Sequence, residues 1–147
     1  MSQITKHFNL NEFTRSDYAK KYNIDNTPNQ EQLFNIKMVA ILMETVRNIL
    51  GSKPLIITSG FRSKELNKAI GGVSNSAHTE GYAVDFYCNH LDIKEAASIL
   101  EASMLIFDQL ILESSRKIIH LSFDPKLRRD TLTQKYGAGS SFKKGLV

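Results

Sequence analysis

Apolar positions recur every three or four residues over one long stretch. From Pro28 to Leu50 they fall at Leu33, Phe34, Ile36, Val39, Ala40, Met43, Val46 and Leu50, a wide stripe at helical period. Thr27 is a good N-cap, Pro28 fits the first helical position, and Gln30 completes a capping-box spacing. Gly51 marks the stop. The pattern therefore predicts a central core helix over 28–50. A shorter helix is expected between Asn9 and Tyr22, with Leu10, Phe13 and Tyr18 packing inward. Ser63 should cap a short helix through Ile70 that ends at Gly71 and Gly72. Asp92 and Glu95 repeat the capping-box spacing ahead of a helix from Ile93 to Ser103.

Between the helices the pattern shortens to strands. "PLIITSG" gives a β-branched strand over Leu55–Thr58, and "YAVDFY" a second. "IFDQLILE" and "KIIHLSF" flank "SSR" and read as a hairpin. The order is helices, strand, helix, strand, helix, hairpin. It predicts an α+β fold in which helices pack on a small, mostly antiparallel sheet. The 147 residues suit a single domain over 1–147, with about 131–147 expected to be a loosely held basic tail.

Composition adds bounds. Apolar residues make up 41% and charged residues 23%, enough to bury a core without crosslinks. Cys88 is the lone cysteine, so no internal disulfide is available. No apolar run approaches the ~20 residues of a membrane span. No apolar h-region follows Met1, so synthesis in the cytoplasm without a signal peptide is expected, with action elsewhere requiring release or delivery. The net charge of +4 favours anionic partners, although the basic residues are dispersed as on a solvated surface. No nucleic-acid motif accompanies them, so a nucleic-acid partner is not expected.

The stretch "SAHTEGYAVDFYCNH", Ser76 to His90, holds five groups able to bind a metal. Asp85 lies on a strand between Val84 and Phe86 and shares a face with Ala83 and Tyr87. A carboxylate there is costly unless paired or coordinated. Gly81 permits a turn that brings His78 back beside Asp85. His120, in "IIHLS", is another polar group in an apolar strand. Two imidazoles and one carboxylate are the donor set of an open zinc site, with a fourth position for water. On spacing alone, His78 and Asp85 also fit a loop histidine and a hydrogen-bonded strand aspartate. Cys88 falls on the opposite face from Asp85 and reads as a small buried hydrophobe, while Glu80 and His90 read as solvent-facing.

Three separated segments in order, "ITSGFRS", "SAHTEGYAVDF" and "IHLS", resemble the zinc peptidases that include D-alanyl-D-alanine carboxypeptidases and phage endolysins cutting L-alanyl-D-glutamate bonds. "EFTRSDYA", "IDNTPNQEQLFNI" and "FDQLILE" extend the likeness to the short phage and prophage members, over roughly residues 8–123. The resemblance implies the fold shared with the hedgehog signalling domain. It implies Zn2+ held by His78, Asp85 and His120, and a substrate-facing Arg62 that anchors a carboxylate or stabilises developing charge. It also puts Ser76 near the substrate. The implied activity is hydrolysis of an amide bond in peptidoglycan stem peptides; a monomer is expected. The alternative is a non-catalytic zinc-containing module of the same fold, such as a phage tail component.

One departure stands out. Many relatives carry the catalytic glutamate three residues before the last zinc histidine, where this chain has Lys117. The nearest acid is Glu113, a position where some phage-type relatives also carry one. An even hairpin loop would pair Glu113 with Ile118 and Ile111 with His120, putting Glu113 on the face of His120. An odd loop would turn it away. Asp108 and Asp124 are weaker candidates for the base.

Overall fold

The computed structural model describes residues 2–137 and 139–147. Two short helices open the chain, α1 (Leu10–Thr14) and α2 (Asp17–Lys21). They replace the single helix expected over 9–22. Ser16 is extended and accepts a bond from the Ala19 amide, so it starts a new helix rather than continuing the first. Phe13 is buried but Tyr18 faces outward.

The long helix α3 spans Gln30–Ile49. Its cap lies two residues beyond the expected Thr27. Asn29 accepts from the Gln32 amide, and the Gln32 side chain returns a bond to the Asn29 amide. Thr27 is instead held in a turn, its amide donating to Asp25 Oδ1. Ile36, Val39, Ala40, Met43 and Val46 form the buried face, whereas Phe34 is 63% exposed and does not join the core. Leu50 closes the helix, and Gly51 follows with a positive φ.

The sheet is formed by β1 (Leu55–Ser59), β2 (Ala83–Cys88), β3 (Gln109–Glu113), β4 (Ile118–Ser122), β5 (Asp130–Gln134) and β6 (Lys143–Lys144). Between the first two strands lie α4 (Lys64–Ala69) and a 3-10 turn (Ala77–Glu80); α5 (Ile93–Ala102) links β2 to β3. The strand order is β1-β2-β4-β3-β5-β6, antiparallel except for β3 with β5. The α+β expectation is met, and the first residues of the stretch expected to form a tail join the sheet. Residues 130–134 form β5, in parallel register with β3 from Gln109↔Asp130 to Glu113↔Gln134. Thr133 and Gln134 are buried there.

Strand alternation divides the sheet into two faces. Val84, Phe86, Leu110, Leu112, Ile119 and Leu121 join residues of α3 and α5 in the core. Asp85, Ile111, Glu113 and His120 take the opposite face. No helix among the described residues is long and apolar enough to cross a membrane.

The approach to β5 is anchored by Asp108. Its carboxylate accepts Arg128 Nε at 2.8 Å, Arg128 Nη2 at 2.8 Å and the Arg128 amide at 3.0 Å. These bonds hold Asp108 well below the usual carboxylate range, against the opposing effect of burial. A depressed folded pKa contributes stability that is complete above the unfolded value of ~3.9 and is lost as pH falls through the folded value. Asp108→Ala should therefore cost about 2–3 kcal/mol at pH 7. In urea denaturation the gap to the parent protein should narrow below pH ~3; an unchanged midpoint at pH 7 would contradict this role.

Candidate metal centre

Asp85 sits mid-strand on β2, between Ser59 of β1 and His120 of β4 in the register. A bulge interrupts β1 between Ile57 and Ser59, and the Thr58 hydroxyl donates to the Asp85 carbonyl at 3.2 Å. Bulges re-aim the chain beside functional sites. Here the strand turns into Gly60, whose carbonyl reaches the cluster.

His78 arrives from the 3-10 turn. Ser76 caps that turn, and Gly81 ends it with φ +82°. A Cβ on Gly81 would stand 2.8 Å from the Gln32 carbonyl, so the turn packs against α3 only with glycine there. Asn35 Nδ2 donates to the Glu80 carbonyl at 2.8 Å, and Gln32 Nε2 to the Thr79 carbonyl at 3.3 Å. The core helix thus fixes the backbone that carries His78.

His78 Nε2 lies 3.2 Å from Asp85 Oδ1, and His120 Nδ1 lies 3.0 Å from the same oxygen. One ligand atom from each residue falls within 4.8 Å of the others. His78 and Asp85 are buried and His120 nearly so. The other ring nitrogen of His78, Nδ1, is 2.7 Å from the Gly60 carbonyl. A carbonyl has no proton to give, so Nδ1 is the donor and Nε2 faces Asp85. Full burial pushes the His78 pKa down, despite the pull of Asp85, so Nε2 tends to keep its lone pair. Burial alone would raise Asp85, but positive charge and hydrogen bonds from the imidazoles of His78 and His120 lower it, a pull that a cation would have to supply once His78 Nε2 is unprotonated. A lone pair and a carboxylate then meet in a dry site. A cation between them resolves that conflict, and two imidazoles plus one carboxylate suit zinc, leaving a coordination position open.

Glu113 borders the cluster. The loop Ser114–Lys117 has four residues, an even number, and the register pairs Glu113 with Ile118 and Ile111 with His120. Glu113 is therefore diagonal to His120 on the same face. It is buried, and Arg116 Nη1 donates to its Oε1 at 2.8 Å. Burial and then the charge of Asp85 raise its pKa, with Arg116 opposing.

Arg62 stands between the loops. Its amide donates to the His78 carbonyl, and Nη2 donates to Ser76 Oγ at 3.3 Å. Its Nε is buried with no partner. A buried guanidinium donor without an acceptor is costly and is suited to an incoming anion.

The profile of one family, peptidase M15, matches residues 6–122. The chain belongs to the peptidase M15 family. A segment of 43 residues is 42% identical to the zinc D-Ala-D-Ala carboxypeptidase of Streptomyces albus G. It covers 29% of this chain and 17% of that enzyme, so the similarity spans well under two thirds of the relative.

In this M15 chain, the fold brings His78, Asp85, His120, Glu113, Arg62 and Ser76 to one region. Cys88 lies on the core face, and burial raises its thiol pKa, which disfavours a thiolate ligand. Glu80 and His90 are exposed. Asp108 is committed to Arg128, and Asp124 lies against Asp108, which leaves neither at the cluster. Sequence reasoning missed the Gly60 carbonyl, Gln32 and Asn35. Gly60 lies within the segment "ITSGFRS", and the structure gives the reason for a glycine there: a Cβ would meet the Phe13 carbonyl oxygen at 2.5 Å.

Proposed function

We propose that this chain is a zinc-dependent peptidase that hydrolyses an amide bond in peptidoglycan stem peptides, acting as an endolysin-like monomeric domain at the cell wall after release or delivery. The observation that carries the proposal is the buried His78–Asp85–His120 cluster with Glu113 on its own face. Membership of the M15 family and the similarity to a zinc D-Ala-D-Ala carboxypeptidase support it.

His78, Asp85 and His120 would hold the ion. Zinc, when bound, supplies Lewis acidity: it makes water nucleophilic near neutral pH and polarises a carbonyl. Glu113 is the general base. Its Oε1 is held by Arg116, which leaves Oε2 to take the proton of the attacking water. The raised pKa suits a group that must accept this proton and then deliver it to the leaving amine. Arg62 binds a substrate carboxylate through its guanidinium, with Ser76 steadying Nη2. Stem peptides carry free carboxylates, which suits both Arg62 and the net charge of +4.

Lys117, in place of an acid three residues before His120, favours a second reading: a non-catalytic zinc module. Metal analysis combined with amine release from purified peptidoglycan separates the two. Bound zinc with new amino groups is expected. Bound zinc without them would favour the module.

A further inference from the structure

Arg62 can meet a substrate carboxylate only if its loop is held still, and the loop is short of secondary structure. Residues 60–63 lie between β1 and α4. The Phe61 amide donates to the Phe13 carbonyl at 2.6 Å, and the Arg62 amide to the His78 carbonyl at 3.1 Å. The Phe61 carbonyl and the Ser63 amide, on either side of Arg62, go to one side chain. Asn26 Nδ2 donates to the Phe61 carbonyl at 3.1 Å, and Asn26 Oδ1 accepts the Ser63 amide at 2.7 Å. The same Nδ2 also donates to the Thr14 carbonyl at 2.8 Å, at the end of α1.

Asn26 is far from Arg62 in sequence and does not belong to the cluster around Asp85. Its amide plane nonetheless spans the residues immediately before and after Arg62. The arrangement needs two donated bonds and one accepted bond from a single planar group. Asparagine supplies them; aspartate keeps the acceptor but has no donor, and glutamine is longer by a methylene. A turn asparagine that served only its own segment would bond its own backbone two residues on. Asn26 instead bonds three carbonyl or amide groups between 12 and 37 residues away.

We propose that Asn26 is a positioning residue: by clamping Phe61 and Ser63 it aims the Arg62 guanidinium at a carboxylate of an anionic peptide substrate. The inference rests on the reading of Arg62 given under the proposed function. His78 shares two bonds with this loop, to the Gly60 carbonyl and from the Arg62 amide, but it is also held through Asn35, Gln32 and the Gly81 turn, and Phe61 keeps its bond to Phe13, so loss of the clamp should displace Arg62 more than the metal site.

The test is a double-mutant cycle on the zinc-loaded full chain, with Asn26→Ala, Arg62→Ala and the pair. The probes are a synthetic stem peptide with free carboxylates and the same peptide amidated. Arg62→Ala should raise KM for the free-carboxylate peptide by roughly 10- to 100-fold. Asn26→Ala should raise it about tenfold, with zinc content unchanged and little effect on the amidated peptide. The double variant should be no worse than Arg62→Ala alone. Asn26→Asp, which keeps the shape and the acceptor, should reproduce the KM effect even if the alanine variant folds poorly. Multiplicative losses in the pair, or equal losses on both peptides, would overturn the role of Asn26 and leave Arg62 as assigned. An unchanged KM in Arg62→Ala would overturn the reading of Arg62 and this inference with it.

Discussion

Glu113→Gln should leave the bound zinc in place and lower peptide cleavage by ~10²- to 10⁴-fold. The physical case begins with the hairpin. Four loop residues set a register in which Glu113 opposes Ile118, so its side chain emerges on the face of His120. There burial raises its pKa, and the charge of Asp85 adds to the effect. A carboxylate raised in this way accepts a proton more readily than an exposed glutamate. Glutamine has the same shape, and its Oε1 can still accept the bond from Arg116, so the hairpin should survive. What it lacks is the ability to take and return a proton. The loss should therefore appear in kcat, with KM and metal content nearly unchanged. Steady-state kinetics beside metal analysis checks this. Full activity in the variant would remove Glu113 from the mechanism.

Asp85→Asn should abolish both zinc retention and activity. Asp85 Oδ1 is the one atom that both imidazoles approach. It also supplies the only negative charge of the three groups, and a neutral amide oxygen is a far weaker partner for a dication. Two imidazoles would remain, too few for a structural or catalytic zinc site. The consequence extends to stability. A metal that binds only the folded chain stabilises it by ~2.7 kcal/mol at a free concentration one hundred times its Kd. Zinc should thus raise the Tm of the parent protein, a chelator should reverse the gain, and the variant should show neither response. Stoichiometric zinc in Asp85→Asn after dialysis would show that Asp85 is not a ligand.

Much of this region was legible in the sequence because its signals are local or periodic. Asp85 and His120 stood out as polar groups in apolar strands, and alternation placed Cys88 on the other face. The face taken by Glu113 stayed open between an even and an odd loop in the sequence, and the observed pairing of Glu113 with Ile118 across four loop residues decides it. The segment resemblance supplied what spacing alone left open, above all the pairing of His78 with Asp85. The start of α3 was misplaced because two capping-box patterns overlap, Thr27 with Gln30 and Asn29 with Gln32. The bond of the Thr27 amide to Asp25 and the bonds of Asn26 to distant loops keep 25–28 out of the helix, so the later cap wins. Strand β5 was missed for a different reason. "DTLTQ" is polar, and its burial comes from distant partners: β3 in parallel register on one side and β6 with the residues around it on the other. The bonds that hold the His78 and Arg62 loops join residues 35 to 47 positions apart, so no short pattern announces them.

The most direct test of a zinc peptidase acting on stem peptides is mass spectrometry of purified peptidoglycan after digestion by the zinc-loaded chain, with Glu113→Gln as control. Fragments with new amine and carboxylate ends at one stem-peptide bond are expected, with the glycan strands intact and no such ends in the control digest. Unchanged wall fragments from a protein carrying its zinc would contradict the proposal.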